Sequence, residues 1–178
     1  MMRDDDRSLL GRLLDCHARI REMLALASTL AHTPPETEDG IREVAERISR
    51  YFTRALPMHM RDEEESILPR LLDPDARAAL SRMHDEHQEH ERLLRSLIEP
   101  CEVLASSPGR WGELRDAIGD AAGALEPSMT EHLAEEERDV FPRLEALEET
   151  TRQSILDEMD ARRTGGGGGG GRGRNRAR

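Results

Sequence analysis

One stretch of this sequence is written twice. His59-Met60-Arg61-Asp62-Glu63-Glu64, continuing to Ile67-Leu68-Pro69-Arg70-Leu71, returns 73 positions later as His132-Leu133-Ala134-Glu135-Glu136-Glu137, continuing to Val140-Phe141-Pro142-Arg143-Leu144. A helix brings residues four apart onto one face, one turn above the other. His59 with Glu63, and His132 with Glu136, therefore each present an imidazole and a carboxylate side by side. Each pair is a two-ligand clip for a metal ion. A chain carrying two in register is expected to fold so that its helices converge on them.

The residues around the clips have helical spacing. A first helix is expected from about Asp5 to Ala31, with Leu10, Leu13, Leu14, His17, Ile20, Leu24 and Ala27 on its apolar stripe, before Thr33-Pro34-Pro35 ends it. A second starts near Thr37 and carries Ile41, Val44, Ile48, Phe52, Leu56, His59, Glu63 and Ile67, with a kink at Pro57. A third follows the cap Asp73-Pro74 and runs to about Leu104, bending at Pro100. His87 and His90 lie nearest its apolar face, flanked by His84 and Glu91. A fourth spans about Trp111 to Leu147, with Leu114, Ala117, Ala121, Leu125, Met129, His132, Leu133, Glu136 and Val140 inward, and Pro69 and Pro142 are expected to end or nearly end their helices. Thr150 with Gln153 resembles a capping box opening a short last helix that ends near Arg163. No run of alternating β-branched residues reads as a strand. The expected fold is all-α, an up-down four-helix bundle in one domain over residues 1–164. The glycine run Gly165 to Gly171 and the arginines after it cannot bury enough apolar surface to order themselves, so 165–178 is expected to be a disordered tail.

Composition narrows the partners. The net charge is −11 and the terminal arginines make the remainder more acidic still, a balance that attracts neither nucleic acid nor anionic membrane. The Arg/Gly tail is the one feature that could touch nucleic acid or an acidic protein. All 26 basic residues are arginine, from which no function follows. No stretch approaches membrane-span length and no signal segment opens the chain. Cys16 and Cys101 lie far apart on expected helices, which suits free thiols in a reducing cytoplasm.

A histidine or glutamate in a leucine-rich stripe is costly unless bonded, paired or metal-bound. One such histidine would usually be structural. Here His17, His59, His87 and His132 sit on four different inward stripes, and two of them bring a glutamate. Four imidazoles and two carboxylates, without a thiolate at motif spacing, argue against a structural zinc site and suit iron or manganese and, less well, zinc or copper, with iron the expected metal. Two ions sharing Glu63 and Glu136 would divide the six donors sensibly, as in carboxylate-bridged pairs within helix bundles.

The pattern resembles the hemerythrin-like family of HHE cation-binding domains: one His, then His-x-x-x-Glu, one His, then His-x-x-x-Glu. It maps onto His17, onto His59 with Glu63, onto His87 within Asp85-Glu86-His87, and onto His132 with Glu136, over about residues 5 to 150. The resemblance implies a non-haem site of two iron ions with an oxo or hydroxo bridge and an open position for dioxygen, nitric oxide or peroxide. There are departures. Oxygen-carrying members have a second histidine four after the third-helix one, and an aspartate five after the last. Here those roles fall to Glu91 and Glu136. A site richer in carboxylate holds ferric iron more firmly, which points away from a reversible carrier. Only Leu, Met, Phe52 or Phe141 could line a pocket over the open position.

Three function classes fit these residues. The first is a binding protein or sensor for dioxygen, nitric oxide, peroxide or iron. The second is an enzyme, a ferroxidase or a catalase-like or peroxidase-like scavenger in stress defence, with Glu91, His84 and His90 as spare proton carriers. The third is a metal-free helical interaction module. Glu64, Glu65, Glu135 and Glu137 are expected on solvated faces, and Cys16 as a plain buried thiol.

Overall fold

The computed structural model describes residues 8–165, with the side chains at 75–77, 79–89 and 165 outside that description. Every regular element within it is helical, as the spacing predicts. Helix α1 (Leu9–His32) starts where the Ser8 hydroxyl accepts the Gly11 N–H at 3.0 Å. The first turns expected before Leu9 fall on residues outside the description. Thr37 caps α2 (Glu38–Arg50) in the same way, accepting from Gly40 N–H at 3.1 Å. The linker folds back there so tightly that a Cβ on Gly40 would lie 2.7 Å from that of Pro35.

The second rod continues as a π-turn (Tyr51–Ala55), α3 (Leu56–Arg61), a second π-turn (Asp62–Ile67) and a 3-10 turn (Leu68–Arg70). Helix α4 (Pro74–Ser106) runs unbroken past Pro100, and after a 3-10 turn (Pro108–Arg110) comes α5 (Trp111–Asp139). The fourth helix is shorter than expected. It stops at Asp139, and α6 (Phe141–Glu145) follows a break at Val140. Pro142 sits in the first turn of α6, so it starts a helix instead of ending one, its missing N–H being one that no first turn uses. Helix α7 (Glu149–Gly165) begins at Glu149, and the Gln153 amide reaches forward to Asp157 at 2.9 Å rather than back to a capping partner. Two stripe residues also differ: Leu14 is 46% exposed, and on α5 Ile118 is buried where Ala117 was expected.

Helix α1 packs on α5 and α2, α2 on α4, and α4 on α5, which closes a four-rod bundle. None of these helices is long and apolar enough to cross a membrane. Its interior is two cores, not one. The larger, built on Ile20, Leu24, Ile48, Leu97, Leu125 and their neighbours, fills the middle and one end. That end is sealed by the Trp111 indole N–H, which donates to the Leu30 carbonyl at 2.8 Å. The smaller, with Leu9, Leu13, Ile67, Val140, Phe141, Leu144, Ile155 and Met159, lies at the other end, where α7 packs on α1 and the second π-turn. Between the two lies a polar layer: His17 falls between Leu13 and Ile20, Glu63 between Leu56 and Ile67, and Glu136 between Leu133 and Val140. Cys101 is buried in the larger core, which pushes its thiol up to about 12, and both cysteines are free.

Candidate metal centre

The first clip owes its placement to two prolines. A proline ring collides with the carbonyl four residues back in an α-helix and offers no N–H. Pro57 and Pro69 are each preceded, after one leucine, by a π-turn. In those wider turns Leu56 N–H bonds the Tyr51 carbonyl and Leu68 N–H bonds the Glu63 carbonyl. His59 thus sits on a single α-turn with a π-turn at either side, a distortion common at functional sites. The second clip lacks this device. Pro127 lies five residues ahead of His132 and α5 continues through it. The repeated sequence therefore has unequal backbones.

Four side chains meet in the polar layer. His17, His59, Glu63 and Glu136 each place a ligand atom within 4.8 Å of the others. They are 0%, 4%, 3% and 0% exposed. His59 Nε2 is 2.8 Å from Glu63 Oε1, and His17 Nε2 is 3.1 Å from Glu136 Oε2. The His17 and His59 rings meet edge to face at 5.2 Å, with Phe141 5.2 Å from His17 on the other side.

The protons are decisive. His17 Nδ1 lies 2.8 Å from Glu137 Oε1, and since a carboxylate only accepts, Nδ1 carries the hydrogen. The other ring nitrogen, Nε2, is left 3.1 Å from Glu136 Oε2. Neither Glu136 oxygen, nor His17 Nε2, has a hydrogen-bond partner among the described residues. A carboxylate removed from water without a partner costs several kcal/mol. A positive charge between carboxylate and ring, whether a metal ion or a second ring proton, offsets that cost. At His59, burial disfavours the charged ring, but Glu63, the Cys16 thiol and Glu136 outweigh it and raise its proton affinity well above the usual histidine range. A cation entering there displaces a proton.

Glu137 corrects the sequence reading. It was expected in solvent, yet it orients His17 and is itself gripped by Arg21 at 2.9 Å. Burial pushes its pKa up, but His17 and Arg21 prevail and hold it below the usual carboxylate range. The missed signal was the position of Glu137 one residue past the clip.

His132 does not join the four. It is buried beside His90, rings 5.1 Å apart, and His90 Nε2 lies 2.8 Å from the Ser128 hydroxyl. His132, His90, His59 and Glu63 line one cavity of about 10 Å³, walled otherwise by Ile20, Leu56, Met60, Leu94, Met129 and Leu133. The aliphatic lining was expected, but neither phenylalanine contributes to it. The side chains of His84 and His87 lie outside the described residues. Glu91 is exposed, which removes it as a candidate.

The sequence model of the hemerythrin HHE cation binding domain matches residues 8–144. The chain belongs to that family. No curated protein and no solved structure matches it. The hemerythrin HHE match ends at Leu144, so α7 lies beyond it, yet α7 grips the domain beside the cluster. Asp62, adjacent to Glu63 and fully buried, receives Arg162 Nε at 2.8 Å and Arg163 Nη2 at 2.6 Å. Ser66 on the same π-turn bonds Glu158 at 2.6 Å and also Arg162, Arg70 holds Glu158, and Arg12 of α1 pairs with Asp160 at 2.6 Å. The hemerythrin HHE domain thus has the π-turn bearing Glu63 fastened from outside. Sequence reasoning passed over Asp62 because it reads as one more member of an acidic run.

Proposed function

We propose that this domain holds a pair of iron ions in its polar layer and binds or senses dioxygen, nitric oxide or a peroxide there. One observation carries the reading: the fully buried Glu136 carboxylate has no hydrogen-bond partner among the described residues and lies 3.1 Å from His17 Nε2. In this reading His17, His59, Glu63 and Glu136 would hold one ion, and His132 with His87, whose side chain lies outside the described residues, would hold the second. Iron suits this mixture of nitrogen and oxygen donors, and bound iron would supply the redox chemistry. The cavity supports a small ligand, since about 10 Å³ is on the order of one water molecule. Among the described residues its wall carries no titratable group beyond His59, Glu63, His90 and His132, which favours binding over turnover. Free thiols fit a cytoplasmic setting.

The test is anaerobic loading with ferrous iron, desalting, exposure to air, and then metal analysis with an optical spectrum. The expected result is about two irons per chain, with near-ultraviolet bands of a diferric centre that azide alters and His59→Ala removes. Retention of no iron, or a spectrum indifferent to azide, would overturn it.

The hydrogen bond from His17 to Glu137 gives a finer test. Glu137→Ala frees the ring to rotate and to change tautomer, and is expected to weaken metal binding by about 10- to 100-fold in a chelator competition. Glu137→Gln keeps an acceptor for Nδ1–H, so its loss should be smaller.

A further inference from the structure

The molecule has an excess of acids, yet two adjoining hollows on one face are lined by arginines. A cleft of about 350 Å³ opens between α1, the first π-turn and α7, with Arg19, Arg54 and Arg163 on its rim and Tyr51, Met58 and the edge of His59 within. It continues along α1 and α2 as a second hollow of about 310 Å³, which adds Arg47, Arg50 and Met23. Among the described residues no Asp or Glu lines either hollow, in a chain of 37 acidic and 26 basic residues.

The arginines are not equally committed. Arg47 bonds Glu22, Arg50 lies 3.6 Å from Glu46, and Arg163 holds Asp62. Arg19 and Arg54 have no carboxylate within ion-pair reach among the described residues, although both border both hollows. A concave surface lined by one sign of charge concentrates the opposite sign. Guanidinium forks match the geometry of phosphate and carboxylate oxygens. The methionines and the Tyr51 ring add apolar wall suited to an organic body, and the volumes fall within the range of small-molecule pockets.

We propose that this groove is a binding site for a small oxyanion-bearing molecule, held by Arg19 and Arg54. It lies on the outer side of His59 and does not depend on the metal reading, because neither arginine belongs to the cluster.

The experiment is calorimetric titration of the full chain, as purified and at low ionic strength, with three probes: inorganic phosphate, citrate and adenosine monophosphate. Saturable binding to one site by at least one probe is expected, weakened at least about tenfold in Arg19→Ala/Arg54→Ala. It should survive in Arg110→Ala/Arg138→Ala, whose arginines pair with acids elsewhere. If inorganic phosphate binds as tightly as the larger probes, the ligand is the free oxyanion. If citrate or the nucleotide binds more tightly, the oxyanion is carried on an organic body that uses the apolar wall. Because Arg19 and Arg54 are exposed and unpaired, the double variant should keep the thermal stability of the parent, so folding does not confound the comparison. Absence of saturable binding by all three probes, or binding unchanged in the double variant, overturns the proposal.

Discussion

Glu136→Leu is expected to do two opposite things: abolish metal loading, and make the metal-free protein more stable. The carboxylate is fully buried, has no hydrogen-bond partner among the described residues and lies 3.1 Å from His17 Nε2, so without a cation it is a liability. Leucine has a similar volume and removes the charge, which should stabilise the chelator-treated protein by about 1–3 kcal/mol in urea unfolding. Metal reverses the ranking. An ion present at about 1,000 times its dissociation constant stabilises the parent by roughly 4 kcal/mol, and the variant should gain none of this. The parent should therefore unfold later than Glu136→Leu with metal and earlier without it. A parent more stable than the variant in chelator would show that Glu136 is satisfied by something other than a cation.

Removing both arginines of the α7 clamp is expected to be the most damaging surface-directed change. Arg162→Ala/Arg163→Ala leaves Asp62 fully buried with no counter-charge, a loss of about 3–5 kcal/mol by comparison with other broken buried pairs. Adding Asp62→Leu should return much of that stability, since replacing a whole buried ion cluster by apolar groups is often near neutral. Urea unfolding of the parent, double and triple variants decides it. If the double variant loses less than about 1 kcal/mol, in the range of ordinary surface ion pairs, then α7 is not fastened at this point.

Much of the architecture was legible because a four-residue spacing has one geometric meaning. The stripes on α1, α2 and α5 and the gathering of His17, His59, Glu63 and Glu136 follow from it. What escaped was decided by contacts distant in sequence. Nothing local separates Glu137 or Asp62 from the neighbouring carboxylates that do face water. Their burial depends on Arg21, 116 residues away from Glu137, and on Arg162 and Arg163, 100 and 101 residues from Asp62. The two clips also looked interchangeable, whereas Pro57 stands two residues ahead of His59 and Pro127 stands five ahead of His132. That shift separates a rod broken by π-turns from an uninterrupted helix.

A bundle divided by a charged stratum need not melt as one body. The apolar end formed by Leu9, Leu13, Phe141, Ile155 and Met159 is small and is built largely from chain termini, while the larger block is continuous through all four rods. Local opening is easiest where few apolar contacts hold an element in place. An ion resting in the stratum then has a door that swings without the house coming down. For an ion held there, the expected way out is local opening of α7 from its clamp rather than unfolding of the whole bundle, and loosening that clamp should speed its release.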